Sequence, residues 1–326
     1  MKVLVTGAAG FIGFSVSHAL LERGDRVVGL DNLNDYYDVS LKEARLELLK
    51  QHGEFEFVRA DVSDLAALME IAEKHGPFPR VVHLAAQAGV RYSIENPMAY
   101  VQSNLVGHVS ILELCRATDN FEHLTYASSS SVYGGNAKVP FHVEDRVDRP
   151  ISLYAATKAA DELMSYTYSH LYDLPQTGLR FFTVYGPWGR PDMALYLFTD
   201  AMLNDQPIRV FNFGEMRRDF TFIDDIVEGT IRALDRPPAK TNQEPAHRVF
   251  NLGNNQAEPL LKVIEILEQA LGKKANRNLE PMQPGDVPET FADISSAVRE
   301  LGFTPKTGIQ EGVAQFVDWY RMYHGL

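Results

Sequence analysis

The sequence has one cysteine, Cys115, among 326 residues. That excludes an intrachain disulfide framework and fits a reducing compartment. Cys115 lies in the apolar-periodic stretch Ile111-Leu112-Glu113-Leu114-Cys115 and reads as a buried, inert thiol. Positive charge is scarce too: 31 basic residues stand against 43 acidic ones, a net charge of −12. Such a chain is a poor general binder of nucleic acid, and must gather Lys and Arg locally to hold an anion. No apolar run approaches the roughly 20 residues that span a bilayer. Met1-Lys2 runs straight into Val3-Leu4-Val5 and then glycines, which is no signal peptide. The expectation is a cytoplasmic protein with no membrane or nucleic-acid partner. The histidines include no His-x-x-x-His pair, and with one cysteine no metal site is expected. Gly-x-Ser-x-Gly is absent, so a hydrolase nucleophile elbow has no support.

What is present is a rhythm of short apolar runs and helical patterns. Lys2–Val5, Arg26–Leu30, Phe55–Arg59, Val81–Leu84 and Leu124–Ala127 read as buried strands. Phe11–Arg23, Leu41–Gln51, Asp64–His75, Tyr100–Ala117 and Ala155–Leu171 read as the helices around them, and Pro175–Phe181 as a further strand. Alternation of this kind predicts a doubly wound parallel α/β sheet. After Phe182 the pattern loosens into Pro- and Gly-containing loops and shorter elements, which predicts a smaller α/β domain built around a ligand. Residues 1–182 are expected to form the first domain, with 219–252 rejoining it, and 183–218 with 253–326 the second.

Tyr154-Ala155-Ala156-Thr157-Lys158 places a phenol and an ammonium on one helix face. The cation stabilises a phenolate, so the Tyr exchanges protons nearer neutrality than its free pKa of about 10 allows. Ser129, in the upstream run Ser128-Ser129-Ser130-Ser131, supplies a hydroxyl from a strand end. The three suit removal of a proton from a substrate alcohol, which requires a hydride acceptor. Thr6-Gly7-Ala8-Ala9-Gly10-Phe11-Ile12-Gly13 offers its site: glycines between a strand and a helix let a pyrophosphate approach the helix N-terminus. Asp31, ending the second strand, accepts from ribose hydroxyls and repels a 2′-phosphate, favouring NAD over NADP. Asp61-Val62 ends the third strand where an adenine would lie; a helix N-cap by Asp61 or Ser63 is the alternative. Arg190, Arg209, Arg217 and Arg218 suit a diphosphate or carboxylate ligand, although a lone surface arginine is usually just solvated. Asp286, after Pro284-Gly285, accepts from a ribose or starts a turn.

These motifs resemble the extended short-chain dehydrogenase/reductases over essentially the whole chain, and within them the bacterial UDP-glucuronate 4-epimerases. That closer resemblance rests on Asp31-Asn32-Leu33-Asn34-Asp35-Tyr36-Tyr37-Asp38, Ala85-Ala86-Gln87-Ala88-Gly89-Val90-Arg91-Tyr92-Ser93, the stretch Arg180 to Met193, and Met282 to Thr290. UDP-galactose epimerases carry Asn at Thr183 and Arg at Gln283. The 4,6-dehydratases carry an Asp-Glu pair at Ser130-Ser131, and the decarboxylases a Glu at Ser131.

The resemblance implies a Rossmann-type domain whose NAD stays bound and is recycled. Gly7, Gly10, Phe11, Ile12, Gly13, Asp31, Asn32, Asp61, Val62, Leu84, Ala85, Ala86, Gln87, Asn104, Tyr154 and Lys158 would hold it. A UDP-sugar would contact Arg91, Ser129, Ser130, Thr183, Arg190, Arg209, Arg218 and Asp286. The implied reaction is 4-epimerisation of UDP-glucuronate and UDP-galacturonate through a 4-keto sugar. The runners-up are a neutral UDP-sugar 4-epimerase and a UDP-glucuronate decarboxylase; a dinucleotide-sensing regulator would commonly have lost the Tyr or Lys. A homodimer through the helices Tyr100–Ala117 and Ala155–Leu171 is implied as well.

Overall fold

The computed structural model describes all residues, 1–326. Its first half runs β1 (Lys2–Thr6), α1 (Phe11–Glu22), β2 (Arg26–Asp31), α2 (Val39–Leu49), β3 (Phe55–Arg59), α3 (Leu65–His75) and β4 (Arg80–His83). Two single-turn helices, α4 (Tyr92–Glu95) and α5 (Pro97–Tyr100), lead into α6 (Gly107–Ala117), followed by β5 (His123–Ser129), α7 (Leu153–Tyr172) and β6 (Gln176–Phe181). The second half contains β7 (Thr183–Tyr185), α8 (Ala194–Leu203), β8 (Ile208–Val210), β9 (Arg217–Phe222), α9 (Ile223–Leu234), β10 (His247–Leu252) and β11 (Ala257–Pro259). It closes with α10 (Leu260–Leu271), β12 (Arg277–Leu279), α11 (Ser295–Leu301) and α12 (Ile309–His324).

Seven parallel strands form the large sheet in the order β10-β6-β5-β4-β1-β2-β3. β1 lies between β2 and β4, so the chain reverses its winding direction there. That switch point opens a crevice beyond the carboxyl ends of the strands. Alternate residues of β1 serve opposite layers: Val3 and Val5 join the core with α1, while Leu4 joins the core with α3 and α6. The first core counts 54 buried residues against 15 in the second, because it continues into the C-terminal lobe. That lobe contains the sheet β11-β9-β7, the ladder β12-β8 and helices α8, α10 and α12.

Two expectations are corrected. The stretch read as one helix over Tyr100–Ala117 begins with Pro97 in α5, widens into a π-type turn over Val101–Val106, and becomes α-helical only in α6. The wide turn brings the Asn104 side chain to the loop after β4, and such insertions recur at functional sites. The stretch 219–252, expected to rejoin the first domain, does so through α9, which packs on α1, and through β10, but not through β9. β10 pairs with β6 in the large sheet, whereas β9 pairs with β7 and β11 in the small one.

Three buried histidines and the half-buried His247 bind the layers. His83 Nδ1 meets Thr6 Oγ1 at 2.7 Å, and His108 Nε2 meets Ser165 Oγ at 2.8 Å. His123 bridges the Leu234 carbonyl and Thr177 Oγ1, and His247 Nε2 meets the Tyr126 hydroxyl. Burial pushes His123 and His247 down to about 4, and burial with the nearby Lys158 charge pushes His108 to about 3. An unfolded chain protonates these rings near pH 6.5, so between there and pH 4 the unfolded state holds more protons. Their contribution to stability is complete above pH 6.5 and is lost as pH falls through the folded values. The melting temperature is therefore expected to be level near pH 7 to 8 and to drop steeply toward pH 4. A flat profile down to pH 4.5 in scanning calorimetry would contradict this.

Candidate active site

The glycine loop joins β1 to α1 at the switch point. Gly7 has φ +72°, and its N–H and that of Ala8 close the turn onto the Leu30 carbonyl of β2 at 2.7 and 3.1 Å. A Cβ on Gly7 would stand 2.8 Å from the Ala85 nitrogen, and one on Gly13 2.0 Å from the Gly7 carbonyl oxygen. Both close approaches belong to a backbone cradle shaped for something pressed against it. Gly10 caps α1 without any side chain, which leaves the first-turn N–H groups of the helix to an anionic ligand. Gly13→Ala is expected to cost at least 100-fold in NAD affinity while leaving a folded chain, as measured by cofactor titration. Undiminished NAD content in the purified variant would refute the cradle.

Asp31 braces the loop, its oxygens accepting from the Ala9 N–H at 3.1 Å and the Leu33 N–H at 2.8 Å. Asn32 donates to Asp61 at 2.8 Å, and Asp61 also accepts from the Ser63 N–H and hydroxyl. Burial opposes charge on Asp61, but those bonds prevail and hold the carboxyl below its ordinary value. The N-cap of α3 is Asp64, accepting from the Ala67 N–H, and not Asp61 or Ser63. Leu84, Ala85, Ala86 and Gln87 follow β4 across from the glycines. Asn104 pins this segment: it accepts from the Gln87 N–H at 2.8 Å and donates to the Gln87 carbonyl and Thr157 Oγ1. Val62 packs against Gly107 at the start of α6, where a Cβ would meet its side chain at 2.7 Å.

Ser152 caps α7 by accepting from the Ala155 N–H at 3.1 Å, which sets Tyr154 in the first turn and Lys158 one turn on. The buried Lys158 ammonium donates to the Ala127 carbonyl and to Asp161 Oδ2, both at 3.0 Å. Two of its three protons are thereby committed, and the third is free to serve a ligand or Tyr154. Asp161 is fully buried and its Oδ1 has no partner; burial pushes its carboxyl up to about 6, and the Lys158 cation only partly offsets that. Ser129 ends β5, and its Oγ accepts from the Ser131 N–H at 3.2 Å while keeping its own proton to donate. The Tyr154 ring stands edge-on to the buried Tyr100 ring, centroids 6.0 Å apart. Behind the serines, Ser128 donates to Glu162, and Glu162 grips Arg180 through both oxygens at 2.8 and 2.7 Å. Sequence reasoning missed Asp161 and Glu162. The available signal was two acids directly following Tyr-x-x-x-Lys on a helix that must be buried.

The arginines fall into two groups. Arg190 points both its donors at Asp192, which also accepts from the Tyr36 hydroxyl at 3.1 Å. Arg190 and Thr183 line one crevice with Tyr185, Met193 and Phe220. Arg45, buried and unforeseen, ties this region to the cofactor loop by donating to the Ala9 and Trp188 carbonyls at 2.9 and 2.6 Å. The second group surrounds Phe211, also unforeseen: Arg91 lies 4.2 Å and Arg209 5.0 Å from its ring centroid. Arg91 pairs with Asp286, Arg209 forks onto Glu280, and Arg218 donates to the carbonyls of Val287 and Pro288. Arg217 is turned away from them, held by Glu289 and the Ala257 carbonyl. Ser130 begins a tight helical turn, Ser130–Tyr133, that Ser129 caps.

The sequence model of the GDP-mannose 4,6 dehydratase family matches residues 4–316. A probable UDP-glucuronate 4-epimerase of Rhizobium meliloti is 49% identical, over 98% of this chain and 97% of that protein. UDP-glucuronate 4-epimerase 2 of Arabidopsis thaliana is 52% identical over 99% of this chain and 76% of its own length. UDP-glucuronic acid 4-epimerase from Bacillus cereus, solved in complex with UDP-glucuronic acid and NAD, superposes with TM-score 0.90 at 35% identity, covering 99% of this chain and all of that one. The chain belongs to the UDP-glucuronate 4-epimerase family.

Membership in this epimerase family and the match to a dehydratase-named family are compatible. Both share the sheet, the glycine loop and the Tyr-Lys helix. At the start of the turn after β5, where the sequence comparison expected the families to part, this chain carries Ser130 and Ser131. No helix in the chain is long and apolar enough to cross a membrane.

Proposed function

We propose that the protein is an NAD-dependent 4-epimerase that interconverts UDP-glucuronate and UDP-galacturonate. What supports this is the hydrogen bond from Lys158 to the Ala127 carbonyl, which sets the α7 turn carrying Tyr154 and Lys158 against the strand that ends at Ser129, with hydroxyls alone at positions 130 and 131. The glycine loop fits a dinucleotide because Gly10 caps α1 with no side chain, leaving the first-turn N–H groups to an anion, while Gly7 and Gly13 let the loop close tightly on its own backbone. The glycine loop would hold the pyrophosphate, Asp31 and Asn32 the adenosine ribose, and Lys158 the nicotinamide ribose. NAD, when bound, accepts hydrogen from carbon 4 and returns it to the opposite face.

Tyr154 removes the proton from the 4-hydroxyl and later restores it, with Ser129 steadying the oxygen. Between the two steps the sugar is a 4-ketone, and its carbon-6 carboxylate belongs to a β-keto acid. Such an acid loses carbon dioxide when the breaking bond aligns with the carbonyl π system. The work left for Thr183, Arg190, Ser129 and Ser130 is to hold the carboxylate out of that alignment on both faces. The uridine diphosphate would lie along Arg91, Arg209, Arg218 and Asp286, around Phe211. A homodimer through α6 and α7 completes the proposal, supported by the exposed Leu163 and Leu171 on α7. The buried thiol of Cys115 fits a cytoplasmic setting.

Purified protein given UDP-glucuronate and no added NAD should yield a new product of unchanged mass by chromatography with mass detection. A product lighter by carbon dioxide would replace the proposal with decarboxylation, and no turnover with NAD supplied would end it. Arg190→Ala should lose about 10- to 100-fold in epimerisation, the size of a charged hydrogen bond, or release UDP-pentose. An unchanged rate with clean product would remove Arg190 from the carboxylate's custody.

A further inference from the structure

We propose that His18, Glu22 and His52 form a binding site for a divalent transition-metal ion, of the zinc type, away from the catalytic crevice. His18 and Glu22 are one turn apart on α1, and His52 comes from the turn that follows α2. One ligand atom from each lies within 4.8 Å of the other two. His52 Nε2 stands 3.7 Å from a Glu22 carboxylate oxygen. A tetrahedral zinc with bonds near 2.1 Å sets its ligands roughly 3.4 Å apart, so small side-chain rotations complete the set. The two imidazoles meet edge to face, centroids 5.3 Å apart at 88°.

The electrostatics favour a cation there. Glu22 is the last residue of α1, and α2 ends at Leu49 just before His52, so two helix C-termini converge on the site. Each contributes partial negative charge from its aligned peptide dipoles. The nearby cations are engaged elsewhere: Arg23 pairs with Asp25 and Asp235, and Lys50 with Glu47. Two imidazoles and one carboxylate suit zinc with water as the fourth ligand, and do not suit calcium or magnesium, which want oxygen throughout. A bound ion would staple α1, the helix of the cofactor loop, to the end of α2. The sequence pattern missed it because the third ligand is distant in the chain and the helical pair is His-x-x-x-Glu.

The test uses untagged holoenzyme stripped of metal with a chelator, titrated with Zn²⁺ by calorimetry, with its melting temperature followed. One site per chain is expected, with a rise in melting temperature. His18→Ala and His52→Ala should each weaken binding at least 10-fold and abolish the rise, with epimerase activity unchanged. No binding by wild type below millimolar Zn²⁺, or the same binding in both variants, would overturn the site whatever the fate of the epimerase assignment.

Discussion

Tyr154→Phe is expected to lower epimerase turnover by about 1,000-fold or more, while the protein keeps its fold, its NAD and its affinity for UDP-sugar. The change removes one oxygen and nothing else. The ring that stands edge-on to Tyr100 stays, so the packing of α7 against that ring is preserved. Lys158 keeps both its partners, Ala127 and Asp161, so the cofactor side is untouched. What disappears is the only group in the first turn of α7 able to take a proton and give it back. Ser129 cannot substitute, because a serine hydroxyl is a far weaker acid than a phenol and does not give up its proton to become the base. The measurement is conversion of UDP-glucuronate by chromatography, beside NAD content and melting temperature. A variant within 10-fold of wild type would move the proton transfer to another group, and a variant without NAD would mean that the hydroxyl serves binding.

The sequence made legible whatever is local along the chain. The glycine loop sits between a strand and a helix, and both signals lie within a few residues, so its place at the sheet's switch point followed from order alone. Tyr154 and Lys158 share a helix turn, which settles their juxtaposition without knowledge of the fold. What escaped was set by partners far away in the chain. The wide turn within the stretch read as one helix depends on Asn104 finding Gln87 and Thr157. The clamp of Arg190 by Asp192 was overlooked although only one residue separates them, because it takes the loop's fold to turn both toward Tyr36. Phe211 carries no signal by itself; its flanking by Arg91 and Arg209 comes from joining two lobes. β9 reads as a strand of either sheet until its pairing with β11 decides the matter.

Glu162→Ala is the second large effect expected, through stability first and rate second. Glu162 and Arg180 are 8% and 4% exposed at their side chains and share a two-pronged ion pair. Cutting away the carboxylate leaves a buried guanidinium with only the Tyr133 hydroxyl and the Val143 carbonyl to answer its charge. Breaking one side of such a pair costs about 3 to 5 kcal/mol. For a chain of this size that is a fall of roughly 4 to 7 °C in melting temperature. Ser128 loses its acceptor at the same time. Since Ser129 is the next residue, its hydroxyl is no longer held against the reacting oxygen, and turnover should fall with little change in NAD binding. The double variant Glu162→Met with Arg180→Met separates the two effects. It removes both charges from the interior, so it should be more stable than Glu162→Ala alone, as replacement of buried pairs by apolar side chains often is. It should not recover the rate, because Ser128 still lacks its partner. Recovery of stability without recovery of rate would assign the pair to positioning the serines. Recovery of both would make it a packing element whose charge is incidental, and a single variant costing less than about 1 kcal/mol would show that the pair is not buried as described.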